Sequence, residues 1–318
     1  MRVILVTGAS GMLGGNLAAD WAGLHEVHGV FHQHRTAIAG VQMIGADLTD
    51  RQKARTVMGK VKPDLVVHCA AATDLDRCQR EPAWADRLNR EMAANVADAA
   101  RQVGSKLIHI STDAVFDGSG GPYQEGDEPN PLSIYGQSKL AGERAVLGHD
   151  DEALVIRTNL FGWTRRPGRL SLSEWFLDKL RRAESCVGFA DVFFSPILAN
   201  DLGPILLDLA DSGFGGLFHI GGADCLSKDA FGRKLADAFG YSDDLIEPGS
   251  VENIGFDAPR ARRLCLDSSK AEAAIGSHMP SVDAGIERMK RRAPEGWVSP
   301  AKHSRIRQAG EPQPRRST

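Results

Sequence analysis

The first 160 residues alternate short apolar runs with helical patterns. Apolar runs fall at 2–7 (RVILVT), 26–31, 41–44, 64–68, 106–110 and 153–156. Each has the length of a buried strand. Between them the pattern predicts a helix ending near Trp21, one from Asp50, a candidate N-cap, to about Lys60, and one long helix from Pro82 to Val103. The long helix carries apolar or small residues at Leu88, Met92, Val96 and Ala99. Strands alternating with helices at this spacing predict an α/β fold with a doubly wound parallel (Rossmann) sheet. Ligands of such sheets sit beyond the C-terminal strand ends. Gly8, Ala70, Thr112 and Thr158 are expected on that edge.

After Arg157 the pattern is less regular. Helices are predicted at 172–182, 199–210, 227–239 (with Ser227 as N-cap), 268–275 and 281–291, and a strand at 217–220 that returns to the sheet. The expected organisation is a cofactor-binding domain over 1–158, a smaller helix-rich substrate lobe over 159–292, and a tail over 293–318.

The first strand runs into Gly8-Ala-Ser-Gly11-Met-Leu-Gly14, followed by the first helix. Strand, glycine turn and helix in that order form the context of a dinucleotide fingerprint. The turn lets backbone approach a pyrophosphate, and the helix N-terminus offers N–H groups and a positive dipole end. Candidate cofactor contacts are therefore Gly8, Ser10, Gly11, Met12, Leu13 and Gly14. The second strand ends in His32-Gln-His-Arg35, with no acid for a ribose 2′-hydroxyl. His34 and Arg35 are available for the 2′-phosphate of NADP, which is favoured with NAD as the alternative, and His32 is a further candidate cofactor contact. Asp47 and Leu48 follow the third strand, and Asp47 is a candidate for the adenine amino group. The fourth strand ends in Cys69-Ala70-Ala71-Ala72, small residues against which a ring or ribose fits. Asn89 on the long helix reads as solvated or as a backbone partner.

The stretch 111–139, STDAVFDGSGGPYQEGDEPNPLSIYGQSK, brings polar groups to the same edge. Tyr135 and Lys139 are four apart on a predicted helix, roughly 5–6 Å apart at Cβ. An ammonium beside a phenol favours phenolate and is expected to lower the tyrosine pKa. Thr112, Tyr135 and Lys139 are the candidate catalytic residues. Asp113, Ala114, Thr158, Asn159 and Arg260 are the candidate substrate contacts.

Composition changes this picture little. The chain has 318 residues, 42% hydrophobic and 25% charged, with net charge −3. Basic residues concentrate after residue 286, nine Lys/Arg against three Glu, so the body is strongly acidic. That argues against nucleic acid as a partner. The tail, rich in Pro, Gln, Ser and Arg, reads as a disordered end. No apolar run reaches the roughly 20 residues of a membrane span, and the N-terminal run reads as a strand rather than a signal segment. The five scattered cysteines suggest neither a disulfide framework nor a metal site, and fit a cytoplasmic location.

With Thr7-Gly-Ala-Ser-Gly-Met-Leu-Gly14, Ser111-Thr-Asp113 and Tyr135-Gly-Gln-Ser-Lys139 together, the chain resembles the extended short-chain dehydrogenase/reductases. STDAVFDG and PYQEGDEPNPLSIYGQSKLAGE resemble more narrowly the dTDP-4-dehydrorhamnose reductases and their relatives. VVHCAAATDLDRCQREPAWADRLN is similar to that group's segment after the fourth strand, and the stretch from Ala258 to Asp267 is a looser echo. The resemblance covers about residues 1–292. It implies NADPH-dependent reduction of a nucleotide-linked 4-keto-6-deoxy sugar. Tyr135 would be the proton donor, Lys139 the partner of the nicotinamide ribose, Thr112 a hydrogen bond to the carbonyl oxygen, and Gly8, Gly11 and Gly14 the pyrophosphate cradle. No metal is assigned, and a second copy of the chain is an admissible partner. The same resemblance admits a nucleotide-sugar epimerase or dehydratase. It also admits a regulatory subunit like the β subunit of methionine adenosyltransferase, which binds a catalytic partner. The group usually has Tyr where this chain has Ala114, and Pro where it has Ala261. Arg165, Arg166 and Arg169 lie in a stretch unlike the group; they could meet a diphosphate, although solvated loop charges are the simpler reading of each.

Overall fold

The computed structural model describes residues 1–166 and 168–297. Six strands follow the apolar runs: β1 (Val3–Thr7), β2 (Glu26–Phe31), β3 (Val41–Gly45), β4 (Leu65–His68), β5 (Lys106–Thr112) and β6 (Leu154–Thr158). Gly216–Ile220 is the seventh. All pair in parallel, in the order seventh strand, β6, β5, β4, β1, β2, β3. This is the doubly wound Rossmann sheet. The strand that leaves the first half of the chain last, Gly216–Ile220, forms its edge beside β6.

Helices α1 (Met12–Trp21), α2 (Arg51–Val61), α3 (Leu75–Arg80), α4 (Pro82–Asp86), α5 (Met92–Gln102) and α6 (Ile134–His149) belong to the first half. The second half adds α7 (Leu172–Arg181), α8 (Ala199–Asp211), α9 (Lys228–Phe239), α10 (Ser269–Ile275) and α11 (Val282–Arg291). Side chains alternate across a strand, so the sheet feeds two cores. Ile4, Val6, Val67, Ile108 and Ile156 pack with α1 and α8. Leu5, Val66, Leu107 and Val155 pack with α2, α5 and α6 on the other face. A third core, around Phe161, Phe176, Phe231, Phe239 and Ile286, belongs to the second half. Among the described residues three small sheets there, one of them Ile246–Gly249 with Cys186–Phe189, stay outside the main sheet.

Two expectations need correction. The long helix is not continuous: Arg87–Glu91 is a π-helical turn between α4 and α5, and α3 precedes it. An extra residue in a turn rotates the side chains that follow, and here it turns Asn89 into the protein, where it is buried. The cysteines are not all free either. Cys225 and Cys265 are disulfide-bonded, with Cα atoms 5.6 Å apart across a separation of 40 residues. Scattered spacing hid a pair that only the fold of the second half brings together. Opening this bond with a dithiol, or replacing Cys225 by Ser, is expected to cost about 2–4 kcal/mol, because a loop of this length constrains the unfolded chain. The measurement is the denaturation midpoint with and without reductant; equal midpoints would contradict it.

The described start of the tail is anchored: Tyr241 donates to the carbonyl of Trp297 at 2.9 Å. The rest of the tail expectation lies outside the described residues. Among the described residues no helix is long and apolar enough to cross a membrane.

Candidate active site

β1 ends in Thr7 and turns at Gly8, whose φ of +66° is left-handed. A Cβ there would lie 2.8 Å from the Ala70 nitrogen, and one on Gly14 would lie 2.6 Å from the Gly8 carbonyl oxygen. Only glycine allows this turn. The N-cap of α1 is Gly11, and no side chain caps the helix. Its first N–H groups therefore open into a cleft of about 720 Å³ that runs along the C-terminal sheet edge. Uncapped donors at a positive helix end, beside an open cleft, fit a dinucleotide pyrophosphate.

Ser10, Met12 and Leu13 line this cleft beside the glycines, and His32, Asp47 and Leu48 line it further along. Ala70, Ala71 and Ala72 form its wall beneath β4. Arg35 does not reach it. Its side chain is exposed and is not among the residues lining the cleft. Arg166 lines the cleft instead and donates to His34 Nε2 at 2.8 Å. Asp47 accepts from the Thr49 N–H and hydroxyl at 3.0 and 2.7 Å, with His32 at 3.7 Å. Two further hydrogen bonds fold the loop after β6 over the cleft. Asn16 donates to the Trp163 carbonyl at 2.8 Å, and Arg169 to Thr73 Oγ1 at 3.0 Å. Arg165 lies against Gly15. Hydrogen bonds thus hold Arg166 and Arg169, whereas Arg165 is exposed with only its stem against Gly15.

A second cavity of about 230 Å³ adjoins the cleft. Thr112, Tyr135 and Asn159 line both. Asp113, Ala114 and Arg260 line the inner cavity, and Thr158 lines the cleft, where its hydroxyl is buried without a partner. The Thr112 hydroxyl accepts from the Ala114 N–H at 3.2 Å and lies 3.1 Å from Asp113. Asn159 donates to Asp113 at 2.6 Å. Burial pushes the Asp113 carboxyl up to about 6, against these hydrogen bonds.

Ser133 caps α6, so the helix starts with Tyr135 in its first turn and Lys139 one turn on. Lys139 is buried, and its Nζ donates to the Ile110 carbonyl at 2.6 Å, with His109 Nε2 at 3.5 Å. Burial lowers Lys139 to about 8, although Glu143 works in the other direction. Tyr135 departs from expectation. Burial pushes its phenol up to about 12, and the hydrogen bond with Thr112 only partly offsets this. Desolvation of the phenolate dominates, and the cation that acts against it is Arg169.

Beneath Lys139 two imidazoles stack, His68 on His109, with centroids 5.3 Å apart. Thr7 Oγ1 accepts from the Cys69 and Ala70 N–H groups at 3.1 and 3.2 Å, which leaves its proton for His68 Nδ1 at 2.7 Å. Burial, then the Lys139 charge, lowers both rings, His68 to about 3. They are a neutral floor. Asn89 is likewise structural at this edge. It receives the Ala72 N–H at 2.8 Å and donates to Ser138 Oγ at 2.9 Å. It thus ties α6 to the end of β4, a role that a π-turn creates and that no sequence spacing signals. Among the described residues no group of three or more His, Cys, Asp or Glu is placed to hold a metal.

The model of a family described as RmlD substrate binding domain matches residues 1–293. The chain belongs to this family. A probable low-salt glycan biosynthesis reductase, Agl14 of Haloferax volcanii, is 32% identical over 282 residues, 87% of this chain and 94% of the relative. The methionine adenosyltransferase 2 subunit beta of Danio rerio is 33% identical over 283 residues, 85% of this chain and 84% of the relative. Among solved structures, dTDP-4-dehydrorhamnose reductase of Bacillus anthracis in complex with NADP superposes with a TM-score of 0.79 at 27% identity. That match covers 92% of this chain and 99% of the reductase. The chain is thus similar both to reductases and to a methionine adenosyltransferase subunit, and fold alone does not choose between them.

Proposed function

We propose that the protein reduces the keto group of a nucleotide-linked 4-keto-6-deoxy sugar with NADPH. One observation carries this reading: Thr112 and Tyr135 stand where the cleft with the uncapped helix end meets the inner cavity. A group between two cavities touches the ligands of both. The printed names of the Haloferax and Bacillus relatives support it. In this reading residues 1–158 are the cofactor-binding part and 159–292 the substrate lobe.

NADPH, when bound in the cleft, supplies a hydride to the keto carbon. The N–H groups of α1 hold the pyrophosphate. Tyr135, protonated across the neutral range, donates its proton to the carbonyl oxygen as charge develops there. Thr112 orients that oxygen by hydrogen bonding. The Lys139 ammonium, one turn along α6, stabilises the phenolate that results. Arg166 with His34, in the place expected of Arg35, supports NADP over NAD. The cofactor class supports a cytoplasmic location.

The test is consumption of NADPH, and separately NADH, with a panel of nucleotide 4-keto-6-deoxy sugars. Turnover with NADPH preferred is the expected result. Cofactor binding with no turnover on any member would overturn the reading in favour of a regulatory subunit.

A further inference from the structure

The inner cavity holds a charge pattern that the reaction described above does not use. Its walls are mostly apolar, among them Leu75, Phe194 and Leu264, yet Lys228 and Arg260 both line it. Lys228 is the first residue of α9. A cation there opposes the helix dipole, which favours an acid in the first turn, and burial further disfavours its charge. Local rules are broken in this way at functional sites. Arg260 spends one side of its guanidinium on Asp76, with Nη2 at 2.8 Å, and its plane lies on Phe256 with the centroid 4.4 Å away. Its Nη1 is buried with no hydrogen-bond partner. An unpaired donor on a permanent cation is costly unless a ligand satisfies it. Lys228 has Asp113 as its nearby acid and the Phe189 ring 5.9 Å away, but Asp113 already accepts from Asn159 and Thr112. Ala114, a small side chain, lines the cavity beside it.

We propose that Lys228 is a specificity-determining residue which, with Arg260 Nη1, binds an oxyanion of the substrate in the inner cavity. The proposal rests on the reductase reading for its substrate, but its chemistry is that of the site alone. Two sources offer such an oxyanion: the sugar-proximal phosphate of a nucleotide diphosphate, or a C6 carboxylate, which would replace the 6-deoxy sugar of the reductase reading by a keto-uronate. Arg suits either through paired N–H donors, and Lys adds a point charge.

The experiment measures binding by calorimetry and needs no turnover, so that failure of the reductase reading leaves it readable. The probes are UDP, UDP-glucose and UDP-glucuronate, titrated into the wild-type protein and into Lys228→Met and Lys228→Arg. Lys228→Met is expected to weaken binding about 10- to 100-fold, the range of a lost charged hydrogen bond, with Lys228→Arg recovering most of it and NADPH affinity unchanged. Equal weakening of all three probes assigns the diphosphate as the oxyanion. Weakening confined to UDP-glucuronate assigns the sugar carboxylate. Affinities of Lys228→Met within twofold of wild type for every probe would overturn the proposal. So would equal losses in both variants together with lost NADPH binding, which would mark Lys228 as structural.

Discussion

Replacing Tyr135 by Phe is expected to lower kcat by about 10²- to 10⁴-fold, the usual contribution of a positioned general acid, while NADPH still binds. The ring keeps its packing in α6, and only the proton donor is lost. The pKa values around it also fix the pH dependence. Tyr135 is pushed up to about 12 by burial, so the phenol remains a proton donor throughout the neutral range. Lys139 is lowered to about 8, first by burial. Below pH 8 it is an ammonium and supports the phenolate; as pH rises through 8 it loses that charge. Reductive turnover is therefore expected to fall on the alkaline side with an apparent pKa near 8. Lys139→Met should show low turnover with that limb absent. A wild-type profile flat to pH 10 would refute the role given to Lys139.

The parts of this site legible in the sequence are those held by local rules. A glycine turn after an apolar strand places the α1 end, and a spacing of four places Tyr135 and Lys139 on one helix. The parts that were not legible depend on contacts between distant segments. Asn89 faces inward because a π-turn rotates it, and apolar periodicity carries no sign of that turn. Arg35 carries the expected charge but does not line the cleft, and Arg166, 131 residues on from Arg35, lines it instead. The sign of the Tyr135 shift follows from burial, which a helical spacing does not reveal. Cys225 and Cys265 meet only because the second half folds back on the edge of the sheet. Lys228 follows the expected N-cap Ser227 and nothing in the sequence marks it; its significance lies in the cavity that it lines.

The largest effect on stability is expected at Glu143, one turn beyond Lys139 on α6. Its carboxylate accepts from Arg157 Nε at 3.0 Å and Nη2 at 2.7 Å, and from the Ser111 hydroxyl. Both side chains of the pair are almost fully buried, 4% and 3% exposed. Arg157 sits on β6 and Ser111 on β5, so one carboxylate clamps the catalytic helix to two strands. Replacing Glu143 by Ala leaves a guanidinium buried with only His219 Nε2 at 3.4 Å and the face of Phe116 for company. The expected cost is about 3–5 kcal/mol, most of it the uncompensated charge rather than the lost attraction. The double replacement Glu143→Met with Arg157→Met separates the two. Removing both charges is expected to recover much of that loss, and chemical denaturation of the wild type and the two variants measures it. The same carboxylate also holds the Lys139 charge against burial. The double variant, folded but without that carboxylate, is therefore expected to show the alkaline limb of turnover moved below pH 8. An unmoved limb would mean that Glu143 supports the architecture of the site and not its protonation.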